Sequence, residues 1–283
     1  SNDAVNFLNS AIGAKVAKFR TIIIVAAVGV FMGATMSNGM MEVARNGVFH
    51  PAMFSLKELM FIFLAVIISD VILLDIFNNL GLPTSTTVSL VFELLGGTTA
   101  FVLLKLANDT TGLTVGDLMN TEKALGMIMA IFVSVAIAFF FGIVLQYISR
   151  LVFTFTYKKN LKWKIGIFGG VATTAIFYFM LFKGIKSMSF VTPEIYEYIQ
   201  NHTLAILGIC FLASTAIMQF LYFLKVNVFK ILVLMGTFAL AMAFAGNDLV
   251  NFIGVPLAGY SAYTDFAASG ASDPSTFMMS SLE

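Results

Sequence analysis

Two copies of one polar hexapeptide are the most informative feature of the sequence. Asn-Asp-Ala-Val-Asn-Phe at 2–7 recurs as Asn-Asp-Leu-Val-Asn-Phe at 247–252, so that only the third position differs. Amide oxygens, carboxylates and freed backbone carbonyls are hard ligands that suit a small cation such as Na⁺. A cation would also offset the cost of keeping Asp3 and Asp248 ionised in a low dielectric. The same carboxylates could instead carry a proton, and the residues leave both options open.

A second motif joins chain breakers to a run of hydroxyl side chains. The segment 81–87 reads Gly-Leu-Pro-Thr-Ser-Thr-Thr, and an apolar run follows at once. Gly and Pro interrupt the chain, Ser or Thr caps the next helix, and a helix N-terminus favours an oxyanion through its free N–H groups and its dipole. Four hydroxyls exceed what one cap requires, which favours an anion site. The candidate ligands are Thr84, Ser85, Thr86 and Thr87.

Composition places the elements that carry these motifs in a membrane. Hydrophobic residues make up 59% of the 283 residues and charged residues only 11%, whereas soluble domains carry roughly 25% charged residues. A helix needs about 20 mostly apolar residues to cross the hydrocarbon core. The runs that reach or approach this length are 21–41, 59–77, 88–106, 124–149, 165–183, 203–224 and 231–245. We therefore expect an all-α polytopic membrane protein, and the net charge of +1 gives nucleic acid no basic footprint.

Lysine and arginine positions orient the spans, because loops rich in these residues stay in the cytoplasm. The basic segment 150–164 is assigned inside, which places 42–58, 107–123 and 260–283 outside. In this topology the two hexapeptides run in opposite directions. The last span reaches membrane length only by continuing through 246–248, which indicates a broken helix. Antiparallel copies at broken helices are typical of transporters built from inverted repeats.

Two carboxylates within the spans are further site candidates. Glu93 follows Thr86 by two helical turns on the same face, and Asp70 lies deep in an apolar span. An ionisable residue inside a membrane is expensive and indicates a functional role. We expect both residues to support the site.

The motifs resemble the signatures of the inorganic phosphate transporter (PiT) family. The resemblance rests on 2–7, 81–87 and 246–258, and on Met-Glu-Val-Ala-Arg-Asn-Gly at 41–47, all in family order. It implies a cation-coupled phosphate symporter with inverted repeats, and it adds Glu42 to the supporting residues. It implies no enzymatic activity and no cofactor besides the coupling cation, Na⁺ or H⁺.

The resemblance assigns roles residue by residue. The coupling cation would be held by Asn2, Asp3, Asn6, Asn247, Asp248 and Asn251. Phosphate would accept hydrogen bonds from the hydroxyl run and contact Asn2, Asp3, Asn247 and Asp248. The expected partners are inorganic phosphate and membrane lipid, with a homodimer left open. The expected location is the plasma membrane (the inner membrane of a bacterium), crossed several times.

The sequence departs from the family pattern in three places. It opens at Ser1 without the usual Gly-Ala, and Val88 stands where the family places His, so no imidazole acts there. The second Pro-x-Ser-Thr-Thr loop would fall beyond Glu283, so we expect a truncated chain. We expect the chain to divide into a first repeat half, a basic loop with linking spans, and the start of a second repeat, at 1–149, 150–230 and 231–283.

Three rival functions are less favoured by the residues. A sulfate permease of the same family would bind a similar oxyanion, but HPO₄²⁻ can donate a hydrogen bond to a carboxylate and sulfate cannot. A cation channel with an Asn/Asp-lined pore is disfavoured because channels usually build such rings from separate subunits. An enzyme is disfavoured because no catalytic triad or metal motif is present, and His50 and His202 fall in outer loops.

Overall fold

The described part of the chain is built from α-helices. The computed structural model describes residues 4–35, 48–108, 112–153, 161, 163–184 and 193–279, with only the backbone at 181–184, 193, 195, 196 and 247–252. The helices are α1 (Ala4–Gly13), α2 (Phe19–Thr35), α3 (Leu56–Leu80), α4 (Thr86–Ala107), α5 (Val115–Leu118), α6 (Thr121–Phe153), α7 (Lys164–Gly184), α8 (Pro193–Asn201), α9 (Thr203–Phe223) and α10 (Val228–Ser269). Strand-like pairing in these residues is limited to two isolated bridges.

Several helices are long and apolar enough to cross a membrane. They are α3, α4, α6, α9 and the Val228–Gly246 part of α10, with mean hydropathies from 1.8 to 2.9. The shorter apolar helix α2 and the Lys164–Met180 part of α7 fall in the two remaining apolar runs of the sequence. The predicted class, an all-α polytopic membrane protein, is therefore confirmed.

The second Asn-Asp copy does not lie at a helix break. The backbone of α10 is helical from Val228 to Ser269, through 246–248 and past an internal proline at Pro256. The predicted break is wrong, because Gly, Asn and Asp cost a helix at most about 1 kcal/mol each. Leaving backbone groups unpaired in a membrane costs several kcal/mol. The helix therefore continues through the polar segment, because apolar helical residues lie on both sides of it.

The contacts divide the chain into two compact units. Unit 1 comprises Ser1–Asp3, Asn38–Ser134 and Asn247–Glu283, and unit 2 comprises Ala4–Ser37 and Val135–Gly246. Each unit gathers segments from distant parts of the chain. The division into repeat halves expected from the sequence remains a prediction.

The core of unit 1 is an antiparallel helix pair covered by the end of α10. Leu59, Ile62 and Val66 of α3 and Leu94 of α4 are buried in one cluster, with Val255, Ala258 and Ala262 of α10. A Cβ on Gly259 would lie 3.6 Å from the Met60 sulfur, so α10 approaches α3 closely. Leucine and β-branched residues at helical spacing on α3 and α4 therefore hold together the pair that carries the hydroxyl run.

Three loops that the charge rule places on one side of the membrane meet at one end of unit 1. The His50 N–H donates to the Leu118 carbonyl at 3.1 Å, and the Leu56 N–H donates to the Phe277 carbonyl at 3.0 Å. Isolated bridges join Phe49 to Met119 and Ser55 to Met278. These contacts agree with the charge rule, because only segments on the same side of the membrane can contact one another outside it.

An ion pair fixes the same end of the helix pair. The Lys105 ammonium of α4 lies 2.9 Å from the Glu58 carboxylate of α3 and donates to the Met53 carbonyl at 2.9 Å. The Ser55 N–H also donates to Glu58, at 2.8 Å, in a capping box that starts α3. Because one carboxylate holds both a helix cap and the neighbouring helix, the two helices are tied together at this end.

Glycines set the close helix contacts of unit 2. A Cβ on Gly169 of α7 would lie 2.8 Å from the Met218 Cβ of α9, and a Cβ on Gly170 would meet the Thr215 hydroxyl. A Cβ on Gly29 of α2 would lie 2.6 Å from a backbone carbonyl oxygen of α10. Small residues let helix backbones approach where no apolar driving force exists between helices in lipid.

Candidate functional site

The connection between α3 and α4 positions the hydroxyl run. Helix α3 ends at Gly81, whose φ of 65° is left-handed and favours glycine. The Leu82 N–H donates back to the Phe77 carbonyl at 3.0 Å, so the carbonyls at the helix end are paired. Since α3 stops there and α4 begins at Thr86, the motif occupies a tight turn between two membrane-length helices.

The residue before α4 does not use its side chain as a cap. Ser85 is the N-cap, with extended backbone angles, and its hydroxyl makes no capping hydrogen bond. Its carbonyl instead accepts from the Ser89 N–H at 2.9 Å and from the Ser89 hydroxyl at 3.2 Å. The exposed Ser85 hydroxyl is thus available to a ligand at the positive end of α4. The sequence reasoning missed Ser89, although its spacing of one helical turn from Ser85 was a visible signal.

Two threonines of the motif are buried, and one of them has no partner. Thr84 is 7% exposed and Thr86 only 2% exposed. The Thr86 hydroxyl oxygen is buried without a hydrogen-bond partner. A buried unpaired polar group costs about 1–3 kcal/mol, and most buried groups in proteins are paired. A ligand oxygen at the start of α4 would remove that cost.

One of the two carboxyl groups predicted to support the site is buried. Both Glu93 carboxylate oxygens, on α4, are buried and lack a hydrogen-bond partner. The next turn of α4 lies against α3, because a Cβ on Gly97 would be 3.6 Å from Val66. A carboxylate in such surroundings requires a proton or a cation. The other predicted residue, Asp70, lies half-buried on α3.

The remaining predicted ligands are not gathered by the described part of the structure. Asn6 is described, and it lies exposed on α1 in unit 2. The side chains of Asn247, Asp248 and Asn251 and the whole of Asn2, Asp3 and Glu42 lie outside the described residues. Among the residues that are described, no group of three or more His, Cys, Asp or Glu could hold a metal ion. The cation ligands therefore remain a prediction.

Comparison with known proteins bears on the whole chain. No curated protein matches it. A solved structure of "the sodium-dependent phosphate transporter" has a TM-score of 0.66 and 19% identity, over 98% of this chain and 66% of that one. The chain thus spans slightly less than two thirds of that structure, and the likeness is one of fold. A profile of the phosphate transporter family matches residues 1–281, and the chain belongs to that family.

Proposed function

We propose that this protein carries inorganic phosphate across a membrane by symport with a cation, and that it performs no covalent chemistry. The unpartnered Thr86 hydroxyl at the start of α4 carries the proposal, because it is a buried donor at a place that favours an oxyanion. Membership of the phosphate transporter family supports the choice of anion. The plasma membrane is the proposed location, and ten of the sixteen Lys and Arg residues fall in segments that the positive-inside rule assigns to the cytoplasm.

Three features favour phosphate binding at the turn between α3 and α4. The first turn of a helix offers backbone N–H groups and a positive partial charge. Ser85 keeps its hydroxyl out of the helix cap, and Thr86 has a hydroxyl without an acceptor. Hydrogen bonds from such donors to an ionised phosphate are charge-assisted and strong. Phosphate would therefore be held without any basic residue in the motif.

The coupling cation is proposed to be Na⁺, with H⁺ as the second candidate. The solved structure with a similar fold is named as sodium-dependent. Carboxylates at Asp70 and Glu93, and those of the Asn-Asp motifs, could be neutralised by either cation. Neutralising them would also lower their repulsion of an incoming phosphate, which gives a physical reason for coupling the two ions.

Substitution of the hydroxyl run tests the anion site. Each charge-assisted hydrogen bond contributes about 1.5–3 kcal/mol, so its loss should weaken binding roughly 10- to 150-fold. We expect Ser85→Ala and Thr86→Val each to raise the phosphate KM by that factor in radiolabelled uptake by vesicles containing the complete protein. Thermal stability without phosphate should not fall in Thr86→Val, because the hydroxyl has no partner to lose.

Thr98→Val is the matched control for Thr86→Val. Thr98 lies on the same helix, is 0% exposed and also has a hydroxyl without a partner. It lies about three turns beyond the start of α4, so its substitution should leave the phosphate KM unchanged. Equal KM values for wild type, Ser85→Ala and Thr86→Val would show that the turn is a helix start and nothing more.

A further inference from the structure

A pocket of about 430 Å³ opens at one end of unit 2. It lies where α9 ends and where α7 and α10 begin, and its lining includes Ile165, Tyr222, Lys225 and Phe229. Helix α9 and the first part of α10 are both long enough to span a membrane. The turn between them, and the pocket with it, therefore lies at the level of the lipid headgroups.

The walls of the pocket are apolar and firmly held. Ile165 is 1% exposed and Val228 2% exposed, and both belong to a buried cluster with Met218. The Phe229 ring lies 5.3 Å from the Phe153 ring, edge to face, which fixes its position. Most of the lining is apolar. Such a surface suits a hydrocarbon chain better than a small hydrated ion.

A lysine in a tight turn forms the polar part of the lining. Lys225 is exposed and has a left-handed φ of 60°, which is unusual for a residue with a side chain. Its N–H donates to the Tyr222 carbonyl at 2.9 Å, and the Val226 N–H donates to the Leu221 carbonyl at 3.0 Å. These bonds hold the turn, and an ammonium group is thereby presented beside the apolar walls.

The described residues around this end of unit 2 carry charge of one sign. Residues 11–22, 145–153, 161, 163–168 and 219–234 hold seven Lys and Arg residues and not one Asp or Glu. The turn after α1 packs against the start of α10 through Val16 and Val233, so the first stretch belongs to the same end. A basic patch at headgroup level attracts anionic lipid, at about 1 kcal/mol for each Lys or Arg near the surface.

We propose that the pocket binds one anionic phospholipid. Its phosphodiester pairs with the Lys225 ammonium, and the upper part of an acyl chain lies along Tyr222, Val226 and Phe229. The apolar lining of the pocket and the position of the pocket at the membrane surface favour a lipid over free phosphate. This site is separate from the hydroxyl run in unit 1, and the proposal does not depend on the transported substrate.

Native mass spectrometry of the complete protein in neutral detergent tests the site. Phosphatidylglycerol and phosphatidylcholine with identical chains are titrated separately, and we expect the protein to bind phosphatidylglycerol more tightly. Lys225→Gln should weaken phosphatidylglycerol binding about fivefold, which is the effect of one basic residue. Val226→Trp fills the pocket without changing charge and should weaken it as well.

Lys15→Gln is the matched control. Lys15 is also an exposed lysine with a left-handed φ, of 49°, at the same end of unit 2, but it does not line the pocket. The Lys15→Gln protein should lose less affinity for phosphatidylglycerol than Lys225→Gln does, because Lys15 belongs to the basic patch but does not touch the bound headgroup. Equal binding of the two lipids, wild-type binding in Lys225→Gln, or displacement of phosphatidylglycerol by millimolar inorganic phosphate would each overturn the proposal. The last result would identify a free-anion site instead.

Discussion

At the scale of single residues, the site is defined by polar atoms without partners in apolar helices. The residue types and their order at 84–87 were enough to predict an anion site next to a helix start. The sequence could not predict that the Ser85 side chain makes no capping hydrogen bond or that Thr86 is buried. Those properties depend on how α4 packs against α3, and a local stretch of sequence does not encode that packing. Glu93 was predicted by its place inside a span, because a buried carboxylate is costly wherever it packs.

Glu93→Gln tests whether that carboxylate serves transport. The substitution keeps the shape and removes a charge whose oxygens have no partner, so thermal stability should stay equal or rise. Glu93 and Thr86 are two turns apart, about 10 Å along the helix axis. An ionised carboxylate at this distance repels a phosphate at Thr86 by about 1.5 kcal/mol at an effective dielectric of 20, and a bound cation would remove that repulsion. We therefore expect the phosphate KM of the wild type to fall about tenfold as the cation saturates, and the phosphate KM of Glu93→Gln to lose that dependence on the cation.

Glu122→Gln, in the first turn of α6, is the control for that measurement. Glu122 is exposed and lies outside the apolar part of its helix, so neither stability nor cation dependence should change. A Glu93→Gln protein with wild-type cation dependence would restrict Glu93 to a structural role.

At the scale of elements, each of the seven predicted runs contains a helix, and five of these helices are long enough to cross a membrane, but hydrophobic length did not give the helix ends. Ends depend on local chemistry: Gly81 stops α3 because it adopts a left-handed conformation. At 246–248 polar residues suggested an end, and the flanking apolar residues carried α10 through them. Gly166 and Gly170 lie about one turn apart on α7, and a Cβ on either would meet a residue of α9. The sequence shows this spacing but not which helix packs against it, since any nearby helix could do so.

Gly170→Ala tests the contact between α7 and α9. The added Cβ would meet the Thr215 hydroxyl and lie 3.2 Å from the Thr215 Cα, so the helices must move apart. Overpacking of this kind costs about 1–3 kcal/mol, which exceeds the gain in helix propensity of about 1 kcal/mol. We expect a lower thermal midpoint in detergent.

The same substitution at Gly142 provides the comparison. Nothing lies within 4 Å of a Cβ placed there, and the residue is exposed on α6. Gly142→Ala should therefore leave the midpoint unchanged or raise it. If Gly170→Ala behaves in the same way, the close approach of α7 and α9 is not important for stability.

At the scale of the whole molecule, composition and motif order predicted the class and the family. They did not predict the two compact units, which collect segments such as Ala4–Ser37 and Val135–Gly246 from distant parts of the chain. Such grouping arises from tertiary contacts that no local pattern encodes. The inverted relation of the two hexapeptides stays a prediction, since both copies involve residues beyond the described side chains.

Phosphate uptake driven by a cation gradient tests the central claim most directly. The complete protein is reconstituted in vesicles, and radiolabelled phosphate uptake is measured with an inward Na⁺ gradient, with choline in place of Na⁺, and with an inward proton gradient alone. We predict that phosphate accumulates above equilibrium with Na⁺ and that this accumulation is lost with choline. Sulfate should compete only weakly with phosphate. Uptake indifferent to both gradients, or concentrative uptake of sulfate in preference to phosphate, would contradict the assignment as a cation-coupled phosphate transporter.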